Sequence, residues 1–376
     1  MVYLDYNATA PLRAEVKDAV TAALALCGNA SSIHAAGRGV RALIEGSRGQ
    51  VAALAGARAA DVIFTSGGSE ANALALYGAL QGAADAGARI TRLFVSAIEH
   101  DSVRANAAAL TERFAGLRLE TVPTSGDGVV DLEALRSMLR EGKGRALIAL
   151  MAANNETGVI QPVAEAAALA RGEGALLFVD GVQAAGKIAL PKADYVSLSA
   201  HKLGGPQGGG ALILREGAPF AAMILGGGQE RGRRAGTENL LGIVGFGTAC
   251  AACERPDAAL RDRFEDGLKR LAPETVIFGA AAPRLANTCN FAIPGVLAET
   301  ALMALDLDGV MLSSGAACSS GTVKPSHVLK AMGVSEELSR CALRASFGWN
   351  STSADSDAAL ASLSGLLARV RARAAA

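Results

Sequence analysis

Tyr195-Val196-Ser197-Leu198-Ser199-Ala200-His201-Lys202, followed by the glycine-rich tract Gly204-Gly205-Pro206-Gln207-Gly208-Gly209-Gly210, decides how the rest of the chain is read. Its first residues have the aromatic, β-branched and apolar character of a buried strand, and polar side chains cluster where that strand runs out. The glycines let main chain approach a flat or anionic group closely. An amine at the end of such a strand sits where desolvation lowers its pKa, which suits a lysine that bonds covalently to a carbonyl. Alone, the segment reads equally well as a surface lysine in a flexible loop. The rest of the chain decides between the two.

Working outward, short β-rich runs alternate with longer helical ones from about residue 60 onward. The expected strands are Val62–Thr65, Arg92–Ser96, Ala146–Met151, Leu176–Val179, Tyr195–Leu198 and Ala211–Leu214. Between most of them lie amphipathic or Ala-rich helices over Glu70–Gln81, Leu132–Arg140 and Val163–Arg171. That alternation predicts an α/β fold with a mostly parallel sheet flanked by helices. Thr237 to about Leu271 reads as one or two helices broken near Pro256. A shorter second cycle follows, with strands at Asn287–Ile293 and Val310–Leu312 and helices through Leu297–Leu305 and Val323–Met332, and it predicts a smaller C-terminal domain. The expected division is an N-terminal arm over 1–15 associated with the small domain, a large domain over 16–255 and a small α+β domain over 256–376.

Composition bounds the function. In 376 residues, Lys+Arg and Asp+Glu are equal at 36 each, so no net field favours nucleic acid or an anionic membrane surface. The N-terminus lacks the basic and apolar regions of a secretion signal, and no apolar run reaches the ~18 residues needed to span a bilayer, so a cytoplasmic protein is expected. Six cysteines without framework spacing imply free thiols. Cys250 and Cys253 form one Cys-x-x-Cys pair in an Ala-rich helical run with no second pair or nearby histidine, which predicts packing in place of a metal site.

In open parallel sheets ligands gather beyond the carboxyl ends of the strands. The residues expected there form a coherent set. Gly68 and Ser69 open a helix whose free N–H groups make an anion cup, although Ser69 is also a plausible N-cap. His100, Asn155, Asp180, Gln183, Ser199, His201 and Lys202 follow the other strands. Each has a bland role as a cap, turn or loop residue. Together they match the needs of pyridoxal 5'-phosphate: Lys202 for the covalent link, Asp180 for the pyridine nitrogen, Gly68 and Ser69 for the phosphate and His100 over the ring. Gln183 is in character for the phenolic oxygen, and Ser199 and His201 for the phosphate.

The chain resembles the cysteine desulfurases of the class V aminotransferase superfamily, within the fold type I pyridoxal phosphate enzymes. The resemblance runs nearly end to end, through the blocks Tyr3 to Pro11, Ser31 to His34, Thr65 to Glu70, Glu99-His100, Asn154 to Gly158, Val179 to Gln183, Ser197 to Lys202, Gly226 to Arg231 and Arg234 to Asn239. It implies conversion of L-cysteine to L-alanine with sulfur passed to Cys318 as a persulfide. Cys318 stands in Ser313-Ser314-Gly315-Ala316-Ala317-Cys318-Ser319-Ser320-Gly321-Thr322, a segment similar to the long-loop group of these enzymes. By the same resemblance Arg344 clamps the substrate carboxylate with help from Asn155, and His100 carries protons at the substrate thiol. Thr237 reaches the phosphate of a neighbouring subunit's cofactor, so a homodimer is implied. A sulfur-acceptor protein such as an iron–sulfur scaffold is the implied partner. A selenocysteine lyase or another aminotransferase or lyase of the superfamily is the alternative; a non-catalytic scaffold should lack Lys202, Asp180 or Cys318, and all three are present. Trp349 departs from the family pattern, which often carries arginine there.

Overall fold

Val62-Ile63-Phe64-Thr65, buried along its whole length, forms an outer strand of the central sheet in the computed structural model, which describes residues 1–315 and 326–375. In chain order the strands are β1 (Val2–Tyr3), β2 (Val62–Thr65), β3 (Ile90–Ser96), β4 (Arg118–Val122), β5 (Arg145–Met151), β6 (Leu176–Asp180), β7 (Tyr195–Ser199), β8 (Gly210–Leu214), β9 (Val276–Ile277), β10 (Thr288–Ala292), β11 (Val310–Met311) and β12 (Ala342–Ser346). Seven of them make the central sheet in the order β2-β8-β7-β6-β5-β3-β4. Its pairings are parallel except those of β8, which runs against both β2 and β7.

Apolar layers cover both faces of this sheet. Ile148, Val179, Val196 and Leu198 face one layer, and Leu147, Phe178 and Tyr195 the other. Burial on two sides is why the inner strands read as nearly continuous apolar runs, and each large side chain so buried contributes about 1.5–3 kcal/mol. β4 was not foreseen. It lies at the sheet edge, and its Arg118-Leu119-Glu120-Thr121-Val122 is mostly exposed, so it lacks that apolar signature.

Two helices, at 14–24 and 35–55, also lack a clear signal in the sequence. The longer one starts with His34 accepting from the Gly37 amide and stops at Gly56, whose φ of +61° suits a residue without Cβ. Four glycines (Gly37, Gly39, Gly46, Gly49) dilute its helix propensity, so packing against the helix at 240–251 stabilises it more than its own composition does.

A second, antiparallel sheet of order β12-β10-β9 lies beyond residue 272, with β1 and β11 pairing in parallel beside it. The chain therefore starts against its own C-terminal region, and Asp5 bridges to Ser346. Phe264 packs edge-on against both Phe291 and Phe347, with centroids 5.6 and 5.8 Å away. The helix expected over Val323–Met332 occupies His327–Ala331 among the described residues. Cys250 is buried in the helix at 240–251, whereas Cys253 falls past its end, where its thiol lies 3.6 Å from the Gly186 carbonyl. Among the described residues no helix is long and apolar enough to cross a membrane, and no His/Cys/Asp/Glu group could hold a metal.

Candidate active site

The carboxyl ends of β3, β5, β6 and β7 open into one cavity of about 700 Å³. Gly68, Ser69, His100, Asn155, Asp180, Gln183, Ser199, His201, Lys202 and Arg344 all line it. Thr237 does not; it is exposed in the loop before the helix at 240–251. Cys318 lies outside the described residues, although Ser313, Gly315 and Ser326 line the same cavity.

Lys202 follows β7 in a single 3-10 turn. Its Nζ donates to the main-chain oxygens of Asn7 at 2.6 Å and Ala8 at 2.7 Å. Burial, with Arg344 adding to it, lowers its pKa to about 8. His201 is lowered to about 4 by burial and by Lys202, so its imidazole is neutral at pH 7.

Asp180 ends β6, and its two oxygens have separate partners: Oδ1 accepts from the Val182 amide at 3.0 Å and Oδ2 from Asn72 Nδ2 at 2.8 Å. Asn72 also donates to Ser102 Oγ, while its own Oδ1 is buried and lacks a partner among the described residues. The helix at 68–85 has Gly67 at its N-cap and no side-chain cap, so its first N–H groups are left for another acceptor. Ser69 therefore sits inside that helix and does not cap it. A Cβ on Gly68 would lie 2.8 Å from Val182 and 3.4 Å from Ser199, so only glycine lets helix and strand end meet there.

His100 caps the helix at 101–113, its Nδ1 accepting from the Ser102 amide at 3.1 Å. Arg344, in the middle of β12, is 4% exposed. Its Nη1 donates to the Asn155 carbonyl and its Nη2 to Asp5, leaving Nε buried without a partner among the described residues. Asn155 thus meets Arg344 through its main chain. Trp349, the departure noted in the sequence, lies beneath the Arg13 guanidinium at 5.1 Å and beside Gly204, so it closes on the loop that follows Lys202.

Several wall residues were not foreseen. Asn7 is one; Asn72 is another, and its i,i+3 relation to Ser69 on one helix face was the available signal. Glu156 lines the cavity with its carboxyl accepting from Ser326 Oγ at 2.5 Å, and burial pushes its pKa up to about 7. His327 lines it too, with Nε2 bonded to the Glu99 carbonyl at 2.9 Å.

The residues present fit pyridoxal phosphate on these observations. An uncapped helix N-terminus accepts an anion, a buried carboxylate is pre-oriented by two donors, an amine of lowered pKa stands beside them, and buried Asn72 Oδ1 and Arg344 Nε have no partner among the described residues.

Comparison with known proteins adds a second line. The family described as aminotransferase class-V matches residues 2–358. The chain is 42% identical over 381 residues to a cysteine desulfurase of Cereibacter sphaeroides, covering 99% of this chain and 97% of that protein. It is 39% identical to an IscS-like cysteine desulfurase of Mycobacterium tuberculosis, with 99% and 97% covered. Among solved structures it is similar to a NifS-like protein from Rickettsia africae, with a TM-score of 0.87, 32% identity and coverage of 98% and 99%.

Proposed function

This chain belongs to the class-V aminotransferase family, and on that premise we propose that it is a pyridoxal 5'-phosphate-dependent cysteine desulfurase. L-cysteine and the Cys318 thiol give L-alanine and a Cys318 persulfide: the substrate C–S bond breaks and an S–S bond forms. The observation that carries this reading is that Lys202, Asp180 and Arg344, from three different strands or strand ends, face one cavity. Relatives of this chain named cysteine desulfurase support it.

Gly68, Ser69, Ser199 and His201 would hold the cofactor phosphate, Asp180 its ring nitrogen, Gln183 its phenolic oxygen and His100 its ring face. Thr237 would serve the partner copy's cofactor in a homodimer. When bound, pyridoxal phosphate supplies an electron sink for charge developed at the substrate Cα. Arg344 binds the substrate carboxylate through a guanidinium already fixed by Asp5 and Asn155. Lys202, with a pKa near working pH, removes the Cα proton and later returns a proton to carbon. Asn72 and the Val182 amide keep the Asp180 carboxylate turned into the site. His100 manages the proton of the substrate thiol, and Cys318 as thiolate attacks the substrate sulfur. The persulfide then passes to a sulfur acceptor, for which an iron–sulfur scaffold protein is the expected class.

The test is mass spectrometry of the Cys318 peptide after incubating the cofactor-loaded protein with L-cysteine, with alanine assayed in parallel. One added sulfur on Cys318 together with alanine is the expected result. A keto acid in place of alanine, or alanine without any sulfur on Cys318, overturns it.

A further inference from the structure

Lys187 plays no part in the chemistry above, yet it stands directly behind it. It follows the turn after β6, is half-buried, and lines a second cavity of about 460 Å³ that also touches Lys202. Its Nζ donates to Gln183 Oε1 at 2.9 Å and to Asn7 Oδ1 at 3.2 Å. These two acceptors belong to the side chains that decide what the first cavity offers. Gln183 turns its Nε2 to the Asn7 carbonyl at 2.9 Å, the same oxygen that receives Lys202 Nζ. Asn7 turns its own Nδ2 to Thr288 Oγ1 and the Asn155 carbonyl.

A primary amide presents an acceptor at one end and donors at the other, and a flip exchanges them. An ammonium has donors only, so whichever amide end faces it must be the oxygen. We propose that Lys187 is a positioning residue that fixes the amide orientation of Gln183, so that Gln183 presents to the active-site cavity the Nε2 hydrogen that the Asn7 carbonyl does not take. The proposal rests on the reading of that cavity as the pyridoxal phosphate site, where Gln183 meets the phenolic oxygen. An amide flipped the other way would set its oxygen against an oxygen. The other titratable or charged groups acting on Lys187 are Arg344 and the Cys253 thiol, which burial keeps protonated; burial first, then Lys202, lowers the Lys187 pKa to about 7, so it is an ammonium below that pH and gains its proton more readily when Lys202 is neutral.

The readout is the pH midpoint of the visible absorption of the cofactor-loaded, substrate-free protein. Loss of a donor at the phenolic oxygen makes the bound cofactor hold its proton more tightly. Lys187→Met should therefore raise the midpoint by about half a pH unit or more. Lys187→Arg keeps the donors and should keep the midpoint near that of the unmodified protein. Gln183→Ala should raise it as well, and Lys187→Met added to Gln183→Ala should raise it no further. An unchanged midpoint in Lys187→Met overturns the proposal. So does an equal rise from Lys187→Met in the Gln183→Ala background, which would be a charge effect independent of the amide. Lys187→Ala gives the same comparison should the Met variant fail to fold. Absence of any visible band in the unmodified protein would instead overturn the cofactor reading, so the two failures are distinguishable.

Discussion

Arg344 and Asp5, 339 positions apart in the chain, form an ion pair of 2.6 Å at the floor of the active-site cavity. The guanidinium is therefore held before any substrate arrives, with Asn155 fixing its other terminal nitrogen. Lysine would keep the charge without the two-point hold. Arg344→Lys should raise KM for L-cysteine by about tenfold or more, the equivalent of about 1.4 kcal/mol, with a smaller change in kcat. Steady-state kinetics check this, and an unaltered KM would remove Arg344 from substrate binding.

Lys202 makes its two hydrogen bonds to main-chain oxygens and none of the site's other side chains duplicates its amine. Lys202→Ala should purify without the visible absorption of the covalently held cofactor while keeping the far-UV circular dichroism of the parent. A retained spectrum would sink the cofactor assignment.

Cys318→Ala separates cofactor binding from sulfur transfer. The variant should load pyridoxal phosphate and show a spectral response to L-cysteine, yet produce no alanine beyond a trace. Undiminished turnover would rule out a thiol nucleophile at this position.

Gly68 admits no side chain without displacing Val182, which is 2.8 Å from the place a Cβ would take. Overpacking of this kind costs about 1–3 kcal/mol. Gly68→Ala should weaken cofactor retention roughly tenfold, read by equilibrium dialysis.

Glu99 is fully buried, accepts from Ser96 Oγ and the Met151 amide through Oε1, and has its pKa raised by burial from 4.5 to about 8. Its folded form holds the proton more tightly than its unfolded form, so its contribution to stability is complete below pH 4.5 and is lost as pH rises toward 8. Glu99→Gln has no proton to lose. Its stability relative to the parent should therefore improve between pH 5 and pH 8, by an amount on the order of a few kcal/mol, in urea unfolding at the two pH values. A constant difference would mean that Glu99 does not titrate in that interval.

The strand-end residues were legible because an open α/β sheet gives its carboxyl edge a chemical character that survives in the one-dimensional sequence. Asp180, Ser199 and Lys202 each follow an apolar run whose burial fixes where it ends. The edge strand β4 carried no such run. Asn7 was illegible for a different reason: its importance lies in partners far away in the chain, with its Nδ2 bonded 281 positions on at Thr288. No local spacing encodes such a contact. The helix at 35–55 was hidden by its glycines, and packing against the neighbouring helix at 240–251 and the buried Arg48–Glu230 pair stabilise it.

The Asn7 main-chain amide donates to Ser346 Oγ, 339 positions further along the chain. The main-chain oxygen that holds Lys202 therefore reaches its position only once the strand that carries Ser346 has joined it. Contacts of such sequence separation form late, because loop closure must be completed before they add stability. The large sheet can assemble before that strand is made, but the reactive lysine acquires its setting only afterwards. A nascent chain stopped before residue 346 should carry a folded sheet and no capacity to retain the cofactor.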